Sequence, residues 1–270
     1  MKFDMTEAWR QATAMIGGNR EVLLVIAGLF FFLPSVAMGF ALGEMQRGMF
    51  DNAEQAEKAA LAVYAQWWWL IVLAVLAAIV GYLTLLALLR AEHRPTVGQA
   101  LRTGLVGLLP AVGTYLIFGF GLGFATVLIV GLAGASGNTA VVGIATALCV
   151  VGAVAVGVRV SLAGPVIAID KVMNPFRVLA RSWRLTARNT LRLVAFYLLL
   201  VIAYFVLTVV AGIIVSAVNV MAGQATGTIV NALLTGLLSA LATTVFVAVL
   251  AAVHRQLAGP DDGGLDQTFG

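Results

Sequence analysis

Residues 174–192 read NPFRVLARSWRLTARNTLR, and the placement of charge in this stretch orders the reading of the whole chain. At 100° per residue, Arg177, Arg181, Arg184, Arg188 and Arg192 fall within about 80° of helix circumference. Phe176, Leu179, Trp183 and Ala187 fall roughly opposite, which predicts an amphipathic helix lying at a membrane surface. Asn174 is suited to cap that helix, and Pro175 to its first position, where a missing amide proton costs nothing.

The stretch lies between long apolar runs. Across 270 residues, 61% are hydrophobic and 10% charged, against about 25% charged in a soluble domain, and the mean hydropathy is +1.03. Six runs exceed the roughly 18 apolar residues that cross hydrocarbon: 22–43, 66–89, 105–132, 139–169, 191–217 and 228–253. The expectation is an all-α integral membrane protein with six transmembrane helices. Acidic Asp4, Glu7 and Glu21 before the first run, and its length, predict a retained crossing rather than a signal peptide.

An even number of crossings puts both termini on one side, and the basic residues say which. Fourteen of the 16 Lys and Arg residues fall on one face of this layout, while Arg47 and Lys58 fall on the other. The positive-inside rule then predicts cytoplasmic termini. The net charge of +4 and pI near 9.6 reflect these boundary residues, so no nucleic-acid partner is expected. Cys149, the single cysteine, excludes an intrachain disulfide.

Three segments share one design. Met5, Ala8, Trp9, Ala12, Met15 and Ile16 occupy one helical arc behind an Asp4/Glu7 cap pattern. Val97, Ala100, Leu101, Gly104 and Leu105 recur at helical spacing after Pro95 and Thr96. With 174–192, these predict three hairpins, each preceded by a short amphipathic interfacial helix on the cytoplasmic side. The units are about 1–90, 91–170 and 171–258, forming one membrane domain over 1–258 with a flexible cytoplasmic tail at 259–270. The outer connection at 44–65 is long enough for a short surface helix.

Residues 164–170, GPVIAID, then Asn174-Pro175-Phe176 and 179–186, LARSWRLT, resemble the signature of the glycerophosphoryl diester phosphodiesterase membrane-domain superfamily and related uncharacterised bacterial inner-membrane proteins. The motif covers about 25 residues, and the six-span layout extends the similarity over most of the chain. The resemblance implies a multi-span bundle in a bacterial inner membrane, fused in some relatives to a soluble catalytic barrel. Here a short polar tail follows His254 and Arg255, so hydrolase activity is not expected.

Catalytic residues, cofactors and metal ligands are not indicated. His93 and His254 stand at membrane boundaries without metal-ligand spacing, and are expected to be solvated. Gly119 and Gly123 form a GxxxG pair inside the third run, a pattern for close helix packing, as do Ala153/Gly157 and Gly236/Ala240. Trp67, Trp68 and Trp69, with Trp9 and Trp183, suit interfacial anchoring. Arg159 has two readings. A break at Gly164-Pro165 would bring it into a polar pocket with Asp170, or the fourth run ends near Val158 and the side chain snorkels.

The five arginines orient the chain, and also suit anionic lipid headgroups or an acidic partner. The leading functional expectation is a non-enzymatic bundle associating with membrane lipids, with another membrane-protein complex or with itself, and acting in envelope organisation. The alternative is a transporter or flippase of an amphiphilic molecule, for which the break beside Arg159 would mark the site.

Overall fold

The computed structural model describes residues 3–41, 53–90 and 95–259; Arg47, His93, the outer connection before Ala53 and the tail from 260 lie outside these. Among the described residues the chain is almost wholly helical and contains no strand. In order come α1 (Met5–Ala27), a π-helical turn (Gly28–Phe32), α2 (Leu33–Ala41), α3 (Ala53–Leu88) and α4 (Val97–Gly134). They are followed by α5 (Thr139–Val160), α6 (Ala163–Ala168), α7 (Pro175–Thr186) and α8 (Thr190–Ala258). Five continuous helical stretches among the described residues are long and apolar enough to cross a membrane.

Local chemistry sets the starts. The Asp4 carboxylate accepts from the Glu7 amide at 2.9 Å. Thr96 and Gln99 form a reciprocal capping box at 3.1 and 3.3 Å. Asn138 accepts from the Ala140 amide at 2.9 Å, and Asn174 from Phe176 and Arg177 at 3.0 and 3.2 Å. Each satisfies amides that a helix start leaves without partners. Asn19 leaves helical geometry within α1, separating its amphipathic first part from the apolar remainder. The π turn precedes Pro34, which has no amide proton to give residue 30, so the ladder widens and Leu33 bonds Gly28 instead.

α8 has 69 residues and would extend about 100 Å if straight, against about 30 Å of hydrocarbon. Gly223 breaks it with φ +83° and ψ 163°, a conformation open to glycine. The two arms fold back side by side. Tyr197 and Phe246 meet at 5.7 Å between ring centroids, and Asn219 reaches back to Gly227.

Both described chain ends meet at one end of the bundle. The Phe3 amide donates to Asn189 Oδ1 at 3.0 Å, Asp4 and Gln256 exchange two hydrogen bonds of 3.2 Å, and Phe3 packs on Phe196. This basic end also holds the core. Leu83, Leu86, Leu162, Val166, Val178, Leu193 and residues 247–253 are enclosed there, and all six residues of α6 are buried.

The structure departs from the sequence reading in three places. The second interfacial helix is not separate: α4 runs unbroken from Val97 to Gly134 through Pro110. Its small buried residues Ala100, Gly104 and Gly107 press on α3, and a side chain at Gly104 would strike Thr84 and the Val80 carbonyl. The surface helix expected in the outer connection is, from Ala53, a continuation of α3. The arginine stripe is not one helix: α7 ends at Thr186, Arg188 lies in the turn and Arg192 belongs to α8. The chain must turn there from a peripheral helix into a long crossing-length one.

Candidate functional site: the basic end

α7 presents three faces, each taking roughly a third of its circumference. Val178, Ser182 and Thr186 are buried against the bundle. Phe176 and Trp183 are exposed at 68% and 40%, and Arg177, Arg181 and Arg184 lie on the third side. The inward face was not foreseen, because the sequence reading divides this helix into only an arginine side and an apolar side. At a membrane, lipid takes the apolar face and small or hydroxyl residues mediate helix contact.

Those hydroxyls have a definite task. Ser182 Oγ and Thr186 Oγ1 donate to the Arg159 carbonyl at 2.7 and 3.2 Å, satisfying a carbonyl in the last turn of α5. The Arg159 guanidinium lies over the Trp183 ring, 4.5 Å from its centroid. α5 ends at Val160, so Arg159 sits in a terminal turn ahead of the Gly164-Pro165 break. A side chain at Gly164 would collide with Tyr82.

Arg159 and Asp170, which only one of the two readings brings together, make separate contacts. Asp170 Oδ2 accepts from Arg181 Nε at 2.5 Å and lies 3.2 Å from His254 Nε2. Asp170 and His254 side chains are 11% and 5% exposed. Burial alone would raise the Asp170 carboxyl, but hydrogen bonds and charge from His254 and Arg181 outweigh it and hold its pKa below the ordinary 3.8. Lys171, the next residue, adopts φ +56°, unusual for a side-chain-bearing residue, in the turn that leads to α7. His254 was expected to be solvated and is buried; its partner is 84 residues away, beyond any spacing rule.

Two hollows flank this cluster. One, of about 350 Å³, is lined by Arg181, Arg184, Arg188, Asn189, Leu185, Leu257 and Ala258. The other, of about 720 Å³, is an apolar cleft whose walls include Phe31, Phe118, Gly157, Phe246 and Leu250, with hydroxyls from Ser35, Tyr82, Tyr115, Ser161 and Ser239. Within it Ser35 and Ser239 bond at 3.2 Å, and Ser161 bonds Tyr197 at 3.2 Å. On the second arm of α8, Ser239, Thr243, Phe246, Leu250, His254 and Leu257 fall within about 80° of one another. That stripe runs from the cleft past His254 to the arginine hollow.

The other sequence-derived residues stand apart from this end or at its margin. Gly119 and Gly123 are exposed, and a side chain on either would meet no other part of the chain. They therefore make no close packing in this fold; Gly81, Gly104, Gly164 and Gly236 do. Arg192 donates to the Phe3 carbonyl at 3.4 Å. Trp68 and Trp69 are exposed on α3, the Trp67 ring lies tilted 6.2 Å from that of Trp69, and Trp9 borders a groove between the arms of α8.

A family model matches residues 6–257 and is described as a domain of unknown function, DUF7847. The chain belongs to this family. The match covers the apolar cleft, the Asp170 cluster and all of the arginine hollow but Ala258, and links none of them to the phosphodiesterase membrane domains. No curated protein and no solved structure matches the chain.

Proposed function

We propose that this DUF7847 chain is a non-enzymatic, six-span membrane bundle that associates with anionic lipid and acts in envelope organisation. The basic end faces the cytoplasm of a bacterial inner membrane, where fourteen of 16 basic residues then lie. The six spans are α1 with α2, α3, α4, α5 with α6, and the two arms of α8, in three hairpins over one domain, 1–258.

The observation that carries this reading is the division of α7 into bundle, apolar and arginine faces. A helix so divided rests beside a bundle at the water boundary, with Phe176 and Trp183 toward acyl chains and the guanidinium groups among headgroups. The test is native mass spectrometry of the full chain with equal amounts of phosphatidylglycerol and phosphatidylcholine. Wild type retains the anionic lipid preferentially, and Arg177→Gln/Arg184→Gln loses most of that preference. Unchanged retention rejects the lipid reading and favours an acidic protein partner for the same face.

The apolar cleft supports a second reading, movement of an amphiphile. It is lined by Tyr82, which packs on the Gly164-Pro165 break, and broken helices beside a cavity are a feature of transport sites. Lipid scrambling by wild type in proteoliposomes, abolished by Ser239→Trp in the cleft, would establish it; no scrambling by wild type excludes it.

A further inference from the structure

We infer that the hollow between α7 and the end of α8 is a binding site for a single phosphate group, carried on a lipid headgroup or free in solution. The inference rests on the lipid-associating reading and narrows it from a charged surface to one site.

Among the described residues the lining carries three arginines, an amide and three apolar residues, with no acidic side chain. Arg181 is already neutralised by Asp170, which His254 holds from its other side. Arg184 and Arg188 have no carboxylate partner among the described residues. Two guanidinium groups facing one hollow repel each other, and an anion between them converts that repulsion into attraction. Phosphate suits the geometry because its oxygens accept paired N–H donors from a planar fork.

The backbone beneath these arginines is anchored. Arg184 stands in the last turn of α7, where Thr186 is tied to Arg159. Arg188 stands in the next turn, where Asn189 accepts from the Phe3 amide. α8 begins at that same rim, and the Asn189 side chain does not cap it. The last turns of α7 and α8 border the hollow as well, so helix dipoles do not decide its sign and the arginines carry the attraction. Leu185, Leu257 and Ala258 form an apolar wall suited to the organic part of a phosphate ester.

The test is a titration of the full chain in detergent, read by native mass spectrometry. The probes are dioleoyl phosphatidic acid, dioleoylglycerol, which lacks the phosphate, and inorganic phosphate. One phosphatidic acid binds saturably and dioleoylglycerol does not. Arg184→Gln/Arg188→Gln weakens binding about tenfold or more, as expected for lost charge-assisted pairs. Arg255→Gln, at the same end of the bundle but outside the hollow, changes it by less than about threefold. Arg188→Lys, keeping charge without the fork, restores part of the loss. Displacement by inorganic phosphate identifies the phosphate alone as sufficient; its failure identifies the lipid ester as the ligand.

Because Asp261 and Asp262 follow Ala258 closely in sequence, the titration is repeated with both as Asn. Saturable binding in neither background overturns the proposal. Equal weakening by Arg255→Gln and by the pair also overturns it, while leaving general anionic association intact. Should the double variant unfold, Arg184→Gln alone gives the same readout.

Discussion

The two ends of the bundle are built on different principles. At the basic end, Leu162, Val166, Val178 and Val247 are fully enclosed, and hydrogen bonds join the start of α1, the α7–α8 turn and the close of α8. At the far end, Val220 and Met221 are 88% and 87% exposed, and the Gly137 and Gly223 turns carry no charged side chain. One end is held by its own side chains and the other is left to its surroundings. In hydrocarbon that asymmetry costs little, since lipid is as apolar as a leucine core. Specific chemistry therefore gathers where the chain holds itself.

Changes that probe this contrast should differ in scale. The largest effect is expected at Gly164. Gly164→Leu drives a side chain into Tyr82 and the buried α6, so thermal unfolding in detergent should show a loss of about 3 kcal/mol or more. Gly119→Leu, with nothing nearby, should stay within about 0.5 kcal/mol of wild type. Equal effects at the two glycines would erase the distinction between the ends.

Next comes Asp170→Asn, which leaves Arg181 and buried His254 without their carboxylate; a loss of about 1–3 kcal/mol is expected. The pH dependence has a fixed sign. A carboxyl whose folded pKa lies below 3.8 contributes stability that is present above 3.8 and lost as pH falls through the folded value. Acid titration of wild type should show this loss, and Asp170→Asn should lack it. A smaller effect, about 0.5–1 kcal/mol, is expected for Trp183→Leu, which removes the ring beneath Arg159. The smallest is Gly123→Ala, neutral or stabilising by up to about 1 kcal/mol through helix propensity.

The same contrast explains what the residues disclosed in advance. Helix starts at Asp4 and Asn174 were legible because a cap is settled within three residues. The apolar runs were legible because crossing hydrocarbon requires length. The end of α7 was not, since periodicity continues through Thr186 whether or not the backbone does. Nor was the direction of Ser182 and Thr186, as polar residues face inward only where lipid competes for the apolar ones. Gly104 and Gly119 are alike in sequence, and only the neighbouring helix makes one of them a contact. Asp170 met His254 and Arg181 through the fold alone.

The central claim is that α7 and both chain ends share one water boundary, opposite the far turns. It is tested most directly by single cysteines, in a Cys149→Ala background, labelled in intact cells with an impermeant maleimide. The account expects cysteines at Asp4, Arg184 and Ala258 to be protected until the membrane is opened, and those at Gly137 and Ala222 to label at once. Labelling at Arg184 in intact cells, or opposite behaviour of Asp4 and Ala258, would contradict it.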